Sequence, residues 1–107
     1  MITLKPGVDV SNLQPQIVLA LISIDQIYAH EGQECVITSA CDGHHMAGSK
    51  HYEGLAVDLR TRFFSRGQIA LVRRKIEKAV GDGYQCIIEK DHLHFEYDPP
   101  RRVTAEV

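Results

Sequence analysis

The sequence has no tryptophan, no apolar run long enough to cross a membrane, and only three cysteines. The cysteines, Cys35, Cys41 and Cys86, are odd in number and include no CxxC pair, which fits free thiols in a reducing compartment better than a disulfide framework. We expect Cys35 and Cys86 to be small core residues. The start of the chain, MITLKPG, lacks the basic residues and apolar run of a secretory signal. We therefore expect a protein that is cytoplasmic as synthesised and does not bind membranes.

A strong charge of either sign is also lacking, since 12 basic and 14 acidic residues give a net charge of -2. No broad positive field is available to attract nucleic acid, so we do not expect nucleic-acid binding. The 44% hydrophobic and 24% charged content is ordinary for a globular domain. The 107 residues are enough for one modest core. We predict a single domain over 1–107 that acts as a monomer.

Hydrophobic periodicity and turn residues predict an α+β fold with two helices and four strands. The first helix would be capped by Ser11 or Asn12 and the second by Ser65. Lys90 and Asp91 form a link short enough for an antiparallel hairpin. We predict a small, mainly antiparallel sheet backed by both helices and an irregular tail over 101–107. The predicted helices are 13–30 and 66–80, and the predicted strands are 35–39, 55–60, 84–89 and 92–97.

Alternation along the strands assigns residues to the two faces of the sheet. Leu55, Val57 and Leu59 would face the core, which places Asp58 on the opposite, polar face. In the last strand His92, His94 and Glu96 share one face in the same way. We therefore expect a polar surface on the side of the sheet that the helices do not cover.

Two sequence elements supply the side chains of a metal site, SKHYEGLAVD from Ser49 to Asp58 and DHLH from Asp91 to His94. His51, Asp58 and His94 suit one catalytic Zn²⁺ per chain, because three ligands of this kind leave a tetrahedral position open for water. Asp91, three residues before His94, is the candidate general base. Glu96 is its rival for that role or a supporting neighbour of the ligands.

These motifs resemble those of the zinc D-alanyl-D-alanine carboxypeptidase family, which includes phage endolysins and is related to the hedgehog signalling domain. The shared pattern is SxHxxGxAxD followed by a D/ExxH or HxH element, and it covers about residues 37–97. The resemblance implies a hedgehog/DD-peptidase-like fold and hydrolysis of a peptidoglycan stem peptide after release to the cell wall. It also implies that His51, Asp58 and His94 bind zinc, that Asp91 is the acid/base, and that His92 assists the transition state.

One position departs from the family pattern. Many members carry an arginine in a TSxYR-like element that holds a substrate carbonyl or carboxylate, whereas this chain reads Thr38-Ser39-Ala40-Cys41-Asp42. The role would pass to another cation or be absent, which makes an endopeptidase somewhat more attractive than a strict carboxypeptidase. The candidate replacements are Arg60, Lys50, His44 and His45.

Three other interpretations remain open. The polar face could carry no metal, or two histidines and a carboxylate could form the facial triad of an iron oxygenase. Six residues separate His51 from Asp58, whereas the common oxygenase motif has one, so the spacing speaks against iron. A binding module that retains zinc without catalysis is the third alternative. Asp91 argues against that module, and the missing arginine argues for it.

Overall fold

The computed structural model describes residues 1–42 and 49–99, which form an α+β domain with two helices and five strands. The predicted class is therefore confirmed. The helices are α1, Pro15–His30, and α2, Arg66–Val80. The strands are β1, Ile2–Leu4; β2, Cys35–Ser39; β3, Ala56–Arg60; β4, Tyr84–Ile88; and β5, His92–Tyr97.

The five strands form one mixed sheet in the order β1-β2-β3-β5-β4. Only the β1–β2 pair is parallel, while β2–β3, β3–β5 and β4–β5 are antiparallel. The sequence interpretation missed β1, because a strand of three residues carries little alternation. Its pairing, with Ile2 opposite Cys35, joins residues far apart in the chain. The sheet is thus mainly antiparallel, as predicted, with one parallel strand added at its edge.

The core fills the space between one face of the sheet and the two helices. Val57 and Leu59 of β3 and Leu93 and Phe95 of β5 are fully buried in one cluster with residues of both helices. The helical members of the cluster are Ile17, Ala20, Leu21, Ile24, Tyr28, Val72 and Ile76. Cys35 and Cys86 are buried in the same cluster, as expected, and burial raises the pKa of each thiol to about 12. The sheet face that carries Asp58 is therefore left for polar side chains.

The two helices differ in how they begin. The predicted cap of α1 at Ser11 or Asn12 is wrong, since Gln14 is the N-cap residue and makes no side-chain capping bond. Pro15 sets the first helical turn instead, because its fixed φ suits that position and its missing N–H costs nothing there. The cap of α2 is confirmed, since Ser65 accepts from the Gln68 N–H while the Gln68 side chain accepts from the Ser65 N–H.

None of the described helices is both long and apolar enough to span a bilayer. The predicted tail over 101–107 lies outside the described residues.

Candidate metal centre

Asp58, His51 and His94 meet on the polar side of the sheet. Asp58 lies on β3 directly opposite His94 of β5, and His51 enters from the turn that precedes β3. One ligand atom from each of the three residues lies within 4.8 Å of the others. Asp58 Oδ1 is 3.2 Å from both His51 Nε2 and His94 Nδ1. The structure thus brings together the three residues predicted as metal ligands.

Each imidazole has an acceptor at both of its ring nitrogens. His51 Nδ1 is 2.8 Å from the Ala40 carbonyl oxygen, and His94 Nε2 is 2.7 Å from Glu96 Oε1. A neutral imidazole has one N–H, so it satisfies one of its two acceptors. If the outer nitrogens donate to Ala40 and Glu96, the lone pairs of His51 Nε2 and His94 Nδ1 point toward Asp58. A cation among these three atoms resolves the conflict, so the donor set fits a metal ion.

Electrostatics in the cluster favour a negative Asp58 and a positive partner. Burial alone would raise the pKa of Asp58, but hydrogen bonds with His51 and His94 outweigh it and hold that pKa well below its usual range. The hydrogen bond with Asp58 raises the pKa of His94, burial opposes this, and Glu96 adds to the increase. Asp58 is therefore an anion at neutral pH, which is the state that a metal ligand requires.

Asp91 and His92 form a pair beside this cluster. His92 Nδ1 is 2.7 Å from Asp91 Oδ1, and His92 Nε2 is 3.6 Å from Asp58 Oδ2. The hydrogen bond with His92 lowers the pKa of Asp91, whose side chain is 83% exposed. Asp91 is thus charged, open to a substrate, and linked through His92 to the candidate metal ligands.

Glu96 contacts His94, one of the three candidate metal ligands, and is not exposed as a base would be. Its side chain is only 15% exposed and contacts His94 Nε2. Of the two roles considered for Glu96, this geometry favours support of the ligand. Such outer partners fix the tautomer and orientation of metal-binding histidines.

Asp42 organises the backbone that supports His51. Its Oδ1 accepts from the N–H groups of Asp9 and Ala40, at 2.9 and 3.0 Å. Ala40 is fully buried, and its carbonyl is the acceptor for His51 Nδ1. Sequence reasoning did not anticipate this role, because the contact with Asp9 spans 33 residues. The Asp42 carboxylate thus joins the segment around Asp9 to the backbone that contacts His51.

The turn that carries His51 packs against the start of α1. Ser49 Oγ accepts from the His51 N–H at 3.2 Å. Gly54 has a φ of +73°, and its carbonyl accepts from the Gln14 N–H at 2.9 Å. A Cβ at Gly54 would lie 1.9 Å from the Asn12 carbonyl oxygen. The glycine of the SxHxxGxAxD motif is therefore required by both its conformation and its contact.

The candidate replacements for the missing arginine differ in their surroundings. Lys50 forms ion pairs with Glu53 and Asp98, each at 3.5 Å, so two carboxylates of the protein already neutralise its charge. Arg60 lines a groove that also contains Asp58, Asp91 and His92. His44 and His45 lie outside the described residues.

Comparison of the chain with family models and with curated proteins found no match.

Proposed function

We propose that this chain is a zinc metallopeptidase that hydrolyses a peptide bond of the peptidoglycan stem peptide, on a hedgehog/DD-peptidase-like fold. The observation that carries the proposal is the convergence of His51, Asp58 and His94, with the outer nitrogen of each histidine held by an acceptor. The resemblance of SxHxxGxAxD and DHLH to the peptidase motifs supplies the substrate class. The bond is D-Ala-D-Ala or L-Ala-D-Glu.

Zinc suits this ligand set because two imidazoles and one carboxylate fill three tetrahedral positions. When bound there, it would acidify a water molecule and polarise the substrate carbonyl. Asp58 contributes the negative charge, and its contacts with His51 and His94 hold it ionised. Ala40 and Glu96 keep the two imidazoles in the tautomer that leaves the inward nitrogens free.

Asp91 is the proton carrier in this proposal. Its lowered pKa keeps it deprotonated at neutral pH, so it can take a proton from the attacking water and pass it to the leaving amine. His92 holds one carboxylate oxygen of Asp91 and directs its own Nε2 toward Asp58. The resemblance assigns His92 to assist the transition state, and its place between Asp91 and Asp58 supports that role.

The first experiment measures zinc and turnover together. We expect about one zinc per chain, and we expect Asp91→Asn to keep it while turnover of peptidoglycan fragments falls by roughly 100-fold or more. Asp82→Asn is the matched control, because Asp82 is exposed at the opposite end of the β4–β5 hairpin. Replacing His51 or Asp58 by alanine should abolish or severely weaken zinc binding, whereas Glu53→Ala should leave it nearly unchanged. Mass spectrometry of the digested fragments identifies the bond that is cut.

The alternative function is a zinc-containing binding module without catalysis. It is favoured by the carboxylate of Asp42 at the position where the family has its arginine. If the zinc-loaded protein released no new termini from peptidoglycan fragments, this alternative would take first place. If Asp91→Asn left hydrolysis intact, the acid/base would have to be reassigned.

A further inference from the structure

The outward face of α1 carries exposed apolar side chains. Leu19 is 65% exposed, Ile22 is 59% exposed and Val18 is 47% exposed. The inward face of the same helix packs into the core and is also apolar, with buried Ile17, Ala20, Leu21, Ile24 and Tyr28. A helix that is hydrophobic on all sides is usually buried on all sides. The outward face of α1 therefore has the composition of a covered surface.

Five exposed residues of α1 have the spacing of a coiled-coil seam. The intervals between them alternate between four and three residues, so the five lie along one line on the helix surface. We call this line the α1 seam, and its members are Pro15, Leu19, Ile22, Gln26 and Ala29. At 1.5 Å per residue the seam is about 21 Å long. A second helix can pack along such a line.

The α1 seam carries no charged side chain. Asp25 is the only Asp, Glu, Lys or Arg in α1, and its Oδ1 lies 2.8 Å from the amino group of Met1. The outward face of α2, by contrast, exposes Arg66, Arg74 and Lys78. A two-fold contact brings the same surface of both copies together, so like charges oppose self-association through α2 but not through the α1 seam. α1 also lacks the lysines and arginines with which a helix binds an anionic membrane surface.

The α1 seam is symmetric about Ile22. Pro15 and Ala29 each lie seven positions away from it. Leu19 lies three positions before it, and Gln26 lies four positions after it. Two copies that cross antiparallel at Ile22 would therefore bring Leu19 of each copy close to Gln26 of the other. At that point α1 borders a groove of about 310 Å³ lined by Ser23, Gln26, Ile27, His30, Lys75 and Ala79.

The seam and the groove are thus complementary halves of one face. The apolar side chains lie in the first half of α1, and the groove beside α2 borders its second half. An antiparallel arrangement sets the apolar half of one copy against the groove of the other, and the same contact is made twice. This is the self-complementarity that a two-fold dimer requires.

We propose that a second copy of this chain covers the α1 seam in an antiparallel, two-fold symmetric contact. α1 lies on the side of the sheet opposite the candidate metal centre, so the dimer leaves both centres open. The inference is therefore independent of the proposed function.

The size of the α1 seam indicates a weak dimer. Half of the curved surface of a 16-residue helix, about 24 Å long and about 10 Å across, is roughly 400 Å² per copy. The total of roughly 800 Å² is below the range of about 1,200–2,000 Å² that stable interfaces bury. We expect a Kd on the order of 100 μM. The monomer predicted from the sequence is then the state at low concentration.

Sedimentation equilibrium from about 10 μM to about 1 mM tests the dimer. Three proteins are compared: the unaltered chain, Ile22→Lys and the control Ala70→Lys. Ile22→Lys places two like charges at the two-fold axis, and lysine is a good helix former at an exposed position. Ala70→Lys adds the same charge at an exposed position of α2. Circular dichroism and the melting temperature at low concentration verify that all three are folded.

We expect the average mass of the unaltered protein and of Ala70→Lys to rise with concentration. The mass of Ile22→Lys should stay close to the monomer value of 12.0 kDa. A constant monomer mass for the unaltered protein up to about 1 mM would overturn the dimer and leave the seam to a partner of different sequence. A rise that persists in Ile22→Lys would overturn the assignment to the α1 seam.

Disulfide trapping tests the position of the two-fold axis. In Ile22→Cys the two introduced thiols face each other across the axis, so mild oxidation should join two chains. Ala70→Cys should not be joined above background. The unaltered protein measures that background, which comes from Cys41 because Cys35 and Cys86 are buried. Equal trapping of Ile22→Cys and Ala70→Cys would contradict an axis at Ile22.

Discussion

At the scale of single residues, Glu96 influences the protonation of His94, one of the candidate metal ligands. The Glu96 carboxylate is 2.7 Å from His94 Nε2 and is one of the groups that raise the pKa of His94. A metal needs the neutral imidazole, so protons compete for His94 at every pH below that raised pKa. Zinc affinity should therefore begin to fall, as the pH is lowered, above the ordinary histidine value of 6.5.

We predict that Glu96→Gln moves this onset to lower pH, because one cause of the raised pKa is removed. At neutral pH the same change should weaken zinc binding by about 10-fold, since a neutral amide makes the histidine a less basic ligand. Competition with a chelating indicator from about pH 5 to about pH 8 measures both effects. Glu89→Gln, at an exposed site beyond β4, is the control. An unchanged onset would mean that Glu96 does not act on His94.

At the scale of elements, the turn from His51 to Gly54 depends on its contact with the segment before α1. The Gly54 carbonyl accepts from the Gln14 N–H, and the Glu53 carbonyl accepts from the Gln14 side chain at 3.3 Å. This contact holds the turn that carries His51 in front of β3, where the His51 side chain meets Asp58. A change at Gly54 should therefore disturb both the fold and the metal centre.

We predict that Gly54→Ala lowers the free energy of unfolding by clearly more than Gly32→Ala. Both glycines have positive φ, +73° and +77°, so each alanine would adopt the left-handed region at a cost of about 1–2 kcal/mol. A Cβ at Gly32 meets nothing within 4 Å, whereas one at Gly54 overlaps the backbone of Asn12. The clash should add about 1–3 kcal/mol. Urea unfolding measures the loss of stability, and zinc affinity should fall only in Gly54→Ala. Equal losses in both variants would contradict the proposed docking.

At the scale of the whole molecule, the candidate metal ligands come from β3, β5 and the turn before β3, on one side of the sheet. In the zinc-free protein two titrations within this cluster, those of Asp58 and His94, contribute to stability. Asp58 has a depressed folded pKa, so its contribution is present above 3.8 and is lost as the pH falls through the folded value. His94 has a raised folded pKa, so its contribution is complete below 6.5 and is lost as the pH rises through the folded value.

We predict opposite pH trends with and without zinc. Above about pH 6.5 the chelated protein should lose the contribution of His94, while the zinc-loaded protein gains stability because fewer protons compete with the metal. At free zinc 1,000 times Kd the added stability is about 4 kcal/mol. Melting temperatures with zinc and with a chelator, compared at matched pH, give the measurement. Parallel trends in the two series would argue against His94 as a ligand.

The sequence alone determined the parts of the protein that depend on neighbouring residues. Alternation in β3 placed Val57 and Leu59 in the core, and alternation in β3 and β5 placed Asp58 and His94 on the polar face, because successive strand residues point to opposite sides. The cap at Ser65 could likewise be predicted from the sequence, because both of its hydrogen bonds join residues only three positions apart. Such local signals predicted the α+β class, both helices, four of the strands and the three candidate ligands.

The tertiary structure alone decided what depends on distant pairs. β1 is recognisable only beside β2, and Asp42 gains its role only when the segment around Asp9 reaches it. Glu96 and Asp91 looked like rivals in the sequence. The structure separates the two by their side-chain contacts. Glu96 contacts His94, whereas Asp91 contacts His92 and stays exposed. Lys5 lines the groove beside Asp58 because it directly follows β1, which runs parallel to β2 and places Lys5 next to Ile37. Chain spacing cannot specify these contacts, because each depends on where another element packs.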